Sequence, residues 1–556
     1  MAAQTKQKND FLLQGGILAV ASLLVRVIGM IYRIFMTKII GSQGIGYYSA
    51  AFQVYNIMLL LSSYSLPLAV SRMVSARLSV EKWRETKKLL TVSLLFAFGV
   101  GLFFGLVTYF GADFFCTIVI SNEYAAIALK WMAPTVFIMG VLGVLRGFYQ
   151  GLNTTVPTAV SQIIEQVANA LVSVGMAALL FQHGKELEAI SGIQAYPYAW
   201  GAAGGTIGTG IGALAALIFF LVIFLRDLPS FGKNVKNDIH QRSKKPSKLL
   251  QLLVETAVPI MLSTVVLDCL GFIDMAMFNH CLEGQGIAEV ARNQIWGDYE
   301  NAYLTIVRLP VSLVTALGAA LVPALAAAFE QKDGETVHSR IDLTLRVTFV
   351  LSIPVGFGFT VLGGNLAKLF FGSSMVPEAQ GYLVVGGLGV LFCSLATVTN
   401  AILHGLNDMK RPLFHSLIAL VVHLAVLALL LFVFKLNIYA VIVCYVLFNI
   451  VLTVLNLRAI NKATGYEINA MQMILYPCVA AIVMTIVCLG LSFLLSRVMS
   501  GTWMHLMIIL VGLVVGAAIY FVIVFKAGCI TKKQIRQLPY GKKLSKIPEK
   551  LHLYRE

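Results

Sequence analysis

Apolar residues in this chain fall into long unbroken blocks, not the short alternations or amphipathic stripes of a soluble domain. Fourteen blocks follow one another, near 11–40, 47–75, 88–111, 125–149, 156–182, 201–225, 249–280, 298–329, 338–362, 379–406, 412–434, 438–460, 470–496 and 503–526. Each is long enough to cross a bilayer, because about 20 mostly apolar residues in a helix span roughly 30 Å of hydrocarbon. A backbone in lipid finds no water to bond, so every block predicts a helix. The pattern predicts an all-α polytopic membrane protein with about 14 transmembrane helices. Function should lie where polar side chains interrupt the blocks.

The blocks also repeat. Gly29 and Gln43-Gly44-Ile45 reappear as Gly271 and Gln285-Gly286-Ile287 at an offset of 242. Gly151-Leu152-Asn153 reappears as Gly405-Leu406-Asn407 at 254, and Pro157 and Ser161 as Pro412 and Ser416 at 255. Pro67 pairs with Pro323, and one insertion near 288–300 explains the change of offset. Each repeat holds six blocks, an even number, which gives two parallel six-helix lobes plus a terminal helix pair. Parallel repeats are a common transporter plan, with the substrate held between the halves. The expected organisation is an N-lobe at 1–225, a basic linker at 226–248, a C-lobe at 249–461, a helix pair at 462–527 and a basic tail at 528–556.

Composition agrees, with 58% hydrophobic and 12% charged residues and a mean hydropathy of +0.83. The net charge of +16 does not point to nucleic acid. The basic residues concentrate in alternate loops: Lys6 and Lys8, Arg77 to Lys88, Arg226 to Lys248, Lys410 and Arg411, Arg458 and Lys462, and Lys526 to Arg555. The intervening loops hold only Lys185, Arg292, Lys368, Lys435 and Arg497. The positive-inside rule then places both termini in the cytoplasm. The first block carries Arg26 and Arg33 and lacks a cleavage site, so it is expected to stay as a membrane helix and not to be removed as a signal peptide. Eight scattered cysteines form no close pair and suggest neither a metal site nor a disulfide framework.

Several charges sit inside the blocks. Arg26 and Arg33 lie two turns apart on one face of the first block, with Gly29 between them. Arginine does not deprotonate, so each faces water, an anion or a partner, or snorkels to the interface. Asp268 and Asp274 flank Gly271 in the seventh block, and the repeat sets Asp268 opposite Arg26 in sequence. These acids are candidates for an interlobe ion pair, a static pair, or a proton or sodium site. The fifth block carries a polar stripe, Ser161, Gln162, Glu165, Asn169 and Ser173, suited to lining a cavity, coupling an ion or bonding between helices. The eighth carries Asp298, Asn301, Thr305 and Arg308 before Pro310, with Arg308 expected to line the cavity. Arg72 and Arg146 are assigned to the interface, and Asn400, His404 and Asn407 share a face. The glycine-rich run from Gly201 to Gly212 has no following Gly-Lys-Ser/Thr, so it reads as close helix packing and not as a phosphate loop. HExxH, GxSxG and nucleotide motifs are missing, and no catalytic residue or metal ligand is assigned.

The stretch Arg26-Val-Ile-Gly29-Met-Ile-Tyr-Arg33, with Gly44-Ile-Gly46-Tyr and Leu66-Pro67-Leu-Ala-Val-Ser71, resembles the polysaccharide-biosynthesis exporters of the SpoVB/YtgP type. So does Arg146-Gly-Phe-Tyr-Gln150-Gly151 followed by Pro157 to Gln166. These exporters belong to the MOP superfamily with MurJ lipid II flippases and MATE exporters. The resemblance implies a bacterial cytoplasmic membrane protein, and the chain is expected to be monomeric and not an enzyme. It implies two lobes, and flipping of an undecaprenyl-diphosphate-linked saccharide such as lipid II. It also implies arginines around a central cavity: Arg26 falls on one such position, Arg33 one residue from a second and Arg308 close to a third. Arginine suits a diphosphate because its planar fork binds phosphate oxygens in pairs. Substrate binding is thus expected at Arg26, Arg33, Arg308, Gln162 and Asn169, with ion coupling or gating at Glu165, Asp268 and Asp274. No cofactor is expected beyond a coupling ion (H+ or Na+) or the membrane potential, and the partners are the lipid-linked saccharide diphosphate and membrane lipids. The alternatives are a MATE-like exporter of small cationic compounds and a polytopic lipid-using glycosyltransferase.

Overall fold

In a computed structural model, the described residues are 2–240, 244–372, 376–408, 410–536, 545 and 549. The side chains of 2–20, 259, 260, 262–268, 315–324, 327, 376 and 377 lie outside that description, and Asp268 is among them. Each of the fourteen expected blocks falls on helix, and the described residues contain no strand. Nine single helices among them are long and apolar enough to cross a membrane, and Glu378–Gly386 with Gly389–Gly405, bent by 45°, makes a tenth. The chain is an all-α polytopic membrane protein.

The chain forms two compact units, 1–297 and 298–556. The first contains α1 (Ala2–Ser62), α2 (Leu66–Leu78), α3 (Trp83–Phe110), α4 (Ala125–Gly151), α5 (Val156–Ser191), α6 (Tyr196–Lys236), α7 (Pro246–Gly284) and most of α8 (Glu289–Asp298). The first expected block and the start of the second are fused in α1, which breaks at Gly41 with φ 67° and ψ 179°, a conformation that a side chain would strain. The second block continues across a turn into α2. Helix α6 extends to Lys236 and α7 starts at Pro246, so most of the basic stretch expected as a linker is helical. The remaining linker is fastened to the first turn of α3. The Arg84 amide donates to Asp238 Oδ2 at 2.7 Å and the Lys244 amide to Glu85 Oε2 at 3.5 Å, while Arg77 Nε reaches Glu85 at 2.9 Å. The Arg84 amide, helped by the His240 amide and ring, holds the Asp238 carboxyl below the usual carboxylate range.

The second unit contains α9 (Ile306–Glu330), α10 (Gly334–Phe371), α11 (Val376–Gly386), α12 (Gly389–Gly405), α13 (Lys410–Ala428), α14 (Ile438–Thr464), α15 (Tyr476–Val498), α16 (Gly501–Lys526) and α17 (Lys532–Arg536). Its core gathers on α10, α12, α15 and α16 around Ile341, Leu345, Leu403, Met473, Ala480 and Tyr520. Arg346 is buried on α10. It donates to both Asp342 carboxylate oxygens, to Gln472 Oε1 and to the Cys529 carbonyl, which ties the chain after α16 back to the bundle.

The sequence repeat is also a repeat of backbone conformation. Asn153 and Asn407, which end the matched Gly-Leu-Asn triplets, are both left-handed, with φ 59° and 61°. Their amides donate to Gln150 and His404 at 3.0 and 3.1 Å. The turns after α2 and α9 correspond as well: Glu81 and Lys332 have φ 57° and 56°, and their amides bond Leu78 and Phe329 at 3.0 and 3.1 Å.

Packing of α5 on α6 explains the glycine-rich run. Gly204, Gly208 and Gly212 fall four residues apart on one face of α6, against Met176, Ser173 and Glu165 of α5 respectively. Lipid supplies little hydrophobic drive between helices, so close backbone approach through small residues takes its place. A Cβ at Gly204 would strike the Met176 backbone, whereas one at Gly175 would meet nothing within 4 Å. Gly204→Ala is therefore expected to cost about 1–3 kcal/mol, read as a lower unfolding midpoint in detergent, and Gly175→Ala to leave that midpoint level or raised.

Candidate substrate-binding residues and polar locks

On α1, Arg26 is exposed and Arg33 half-buried, with a small gap at Gly29 between them. The gap is used: Gln166 Nε2 of α5 stands 3.3 Å from where a Gly29 Cβ would be. Gly271, its repeat partner on α7, is filled in the same way by the Gln53 side chain of α1. Both glycines thus admit a glutamine from a neighbouring helix, which explains why the repeat keeps the residue type.

The stripe on α5 divides into two parts. Ser173 Oγ donates to Asn169 Oδ1 at 2.7 Å and to the Gly205 carbonyl at 2.8 Å, so Asn169, expected as a substrate contact, is buried in the packing on α6. Gln162 is half-buried, and its Oε1 is a buried acceptor without a donor among the described residues. Glu165 is held by Arg146 of α4, whose Nη2 donates to Oε2 at 2.7 Å and whose Nε donates to Ser161 Oγ at 3.1 Å. Ser161 Oγ in turn donates to the Thr158 carbonyl at 2.7 Å. Arg146 was assigned to the interface on its place near the end of a block, but it is buried. A guanidinium in an apolar bundle needs an anion, and Glu165 supplies one from the adjoining helix. Spacing along a single helix cannot reveal a partner on another.

On α7, Asp274 is buried, at 3% exposure. The side chain of Asp268 lies outside the described residues. In the second unit, Asp298 and Asn301 are buried, while Arg308 has a side chain 59% exposed. The expected stripe assumed an unbroken α-helix, but Tyr299–Thr305 is a π-helical turn. Eight residues along an α-helix leave two side chains about 80° apart. The wider turn corrects this and brings Glu300 to 3.9 Å from Arg308, beside Tyr299, Tyr445 and Cys393. Glu300 was not among the expected site residues.

Many apolar helices, an internal repeat and cations exposed within membrane segments define a polytopic membrane transporter. The family model described as polysaccharide biosynthesis protein matches residues 12–329, more than half of the chain, and the MatE model matches 259–429. The chain belongs to the polysaccharide biosynthesis protein family. Stage V sporulation protein B of Bacillus subtilis (strain 168) is 24% identical over 537 residues, covering 96% of this chain and 98% of that protein. Lipid II flippase MurJ of the same organism is 23% identical over 546 residues, covering 94% and 96%. A solved structure of lipid II flippase MurJ in an inward closed conformation shares the fold, with a TM-score of 0.64 at 15% identity over 90% of this chain and 97% of that one.

The Arg146–Glu165 pair generates a stability test. Arg146→Ala strands a partly buried carboxylate and is expected to cost about 2–4 kcal/mol, seen as a lower midpoint in thermal unfolding. Removing both charges with Arg146→Met and Glu165→Leu should recover most of that loss.

Proposed function

We propose that the protein is a flippase that carries an undecaprenyl-diphosphate-linked cell-wall precursor, lipid II or a related lipid-linked saccharide, across the bacterial cytoplasmic membrane by alternating access. The observation that carries this reading is the state of Arg26 and Arg308, each exposed within an apolar membrane segment. An arginine turned toward lipid near the bilayer centre costs at least about 2.5–3.5 kcal/mol, so an exposed guanidinium, Arg26 or Arg308 beside Glu300, is one kept for water or for an anion. A diphosphate is such an anion, and guanidinium meets its oxygens with paired, charge-assisted bonds. Arg26 and Arg33 of α1 and Gln162 of α5 are the candidate head-group contacts in the first unit, and Arg308 is a candidate in the second. The polyprenyl tail stays in lipid throughout. The excess of Lys and Arg in alternate loops supports cytoplasmic termini. The driving force is a proton or sodium gradient or the membrane potential.

Export of small cationic compounds is the rival reading, and the MatE match keeps it in view. It calls for open carboxylates where this chain presents open guanidinium groups. Complementation separates the two. In cells depleted of their lipid II flippase, the wild-type chain is expected to restore growth, and Arg26→Ala and Arg308→Ala each to lower rescue roughly ten- to a hundredfold, the value of a charge-assisted contact of about 1.5–3 kcal/mol. Failure of the wild type removes lipid II as the substrate, and expulsion of a cationic dye by all three chains supports the rival.

A further inference from the structure

Arg308 has an ion partner, Glu300, that the transport reading leaves without a role. The two meet where the π-helical turn Tyr299–Thr305 runs into α9, and they differ in freedom: Glu300 is buried and Arg308 is exposed. The turn that carries Glu300 is fastened from several sides. Thr305 Oγ1 donates to the Glu300 carbonyl at 2.8 Å. The Tyr303 hydroxyl donates to the Gly386 carbonyl at 3.0 Å, and the Tyr303 ring stacks on Tyr299 with centroids 5.6 Å apart. That ring fits only against glycine, since a Cβ at Gly386 or at Gly389 would strike Tyr303. Gly386 ends α11 and Gly389 starts α12, so the turn is wedged into the 45° bend between those helices.

The fixed acid holds its partner loosely. Arg308 Nη1 lies 3.9 Å from Glu300 Oε2, beyond hydrogen-bond reach, and the guanidinium donates no hydrogen bond among the described residues. Two other buried arginines behave differently. Arg146 donates to Glu165 at 2.7 Å, and Arg346 donates to both Asp342 oxygens at 3.1 and 3.2 Å. Those pairs use up their donors on each other. An apolar segment explains why Arg308 needs an anion near it, because a guanidinium without one is costly there. The distance explains why that anion leaves room for another. Attraction between charges falls off slowly with separation, whereas a hydrogen bond is lost within an ångström. Glu300 therefore supplies charge and leaves the planar fork unused.

We infer that Glu300 is the resident counter-ion of Arg308: it balances the guanidinium while the site is empty and competes for it with an incoming anionic head group. The inference rests on the flippase reading above and adds to it the residue that sets how tightly the second unit holds a phosphate. A diphosphate offers paired oxygens to the donors that Glu300 leaves open, so it gains hydrogen bonds that the carboxylate does not make. On arrival it also meets the negative charge of Glu300, whose turn is wedged in place. A membrane pathway must bind its cargo strongly enough to admit it and weakly enough to release it. Glu300 lowers affinity and favours release. An uncharged lipid feels neither effect, so the action of Glu300 falls on phosphate-bearing ligands and depends on Arg308.

The test uses the purified full chain in detergent, titrated by thermophoresis with three lipids of one tail: the diphosphate saccharide, the monophosphate and the uncharged polyprenol. Glu300→Gln keeps the shape and removes the charge. It is expected to tighten binding of the phosphate-bearing lipids roughly fivefold relative to the polyprenol, the value of an ion pair with one member exposed. Glu300→Asp draws the charge back by one methylene and should shift binding the same way by a smaller factor, which keeps the test open where the glutamine variant does not fold. In an Arg308→Gln background the gain from Glu300→Gln should vanish. Unchanged or weaker binding of the phosphate lipids in the Glu300 variants, or an equal gain without Arg308, would overturn the assignment. A wild type that holds diphosphate and monophosphate alike would sink the diphosphate substrate, and an Arg308-dependent gain for either phosphate lipid would leave the role of Glu300 standing.

Discussion

Hydrocarbon offers no hydrogen-bond partner and no counter-ion, and this scarcity shapes the whole molecule. Each apolar block becomes a helix because only a helix satisfies its own backbone in lipid. Helices join through small residues, as Gly204, Gly208 and Gly212 do against α5. Charges that must stay inside find each other, as Arg146 finds Glu165 and Arg346 finds Asp342. A polar group left open in such a setting stands out. Arg26 and Arg308 remain exposed, and the functional reading grows from that exception.

Two kinds of polar group follow. Paired groups hold helices together within a unit. The Arg146–Ser161–Glu165 set joins α4 to α5, and Asn456 joins α12, α13 and α14 by bonding Asn400 at 2.7 Å, Thr399 at 3.1 Å and His415 at 2.7 Å. Open groups are free to meet a ligand. The division assigns Asn169 to packing and leaves Arg26 and Gln162 with unused capacity for an anion or its saccharide, while Arg308 stands exposed beside Glu300 at 3.9 Å. The Glu300–Arg308 pair is of a third kind, near enough to balance charge and far enough apart to leave the guanidinium its donors.

The helices were legible because length and hydropathy alone determine them. The repeat was legible too, and its Asn153 and Asn407 turned out to share a left-handed turn that few residue types accept. Partners on different helices were not legible. Spacing left Glu165 open between coupling an ion and bonding between helices, because its sequence neighbours say nothing of Arg146 nineteen residues away. Glu300 was missed because the π turn at Tyr299–Thr305 shifts which residues share a face, and periodicity counting assumes a constant turn.

If the open arginines serve a diphosphate, the purified protein must bind one and must need those residues to do so. Native mass spectrometry with a polyprenyl-diphosphate saccharide, set against the monophosphate of the same tail, measures this without any transport step. The diphosphate lipid is expected to bind more tightly than the monophosphate, and Arg26→Gln and Arg308→Gln each to lose roughly tenfold of that preference, about 1.4 kcal/mol. Equal binding of the two lipids, or variants that hold the diphosphate as well as the wild type does, would contradict it.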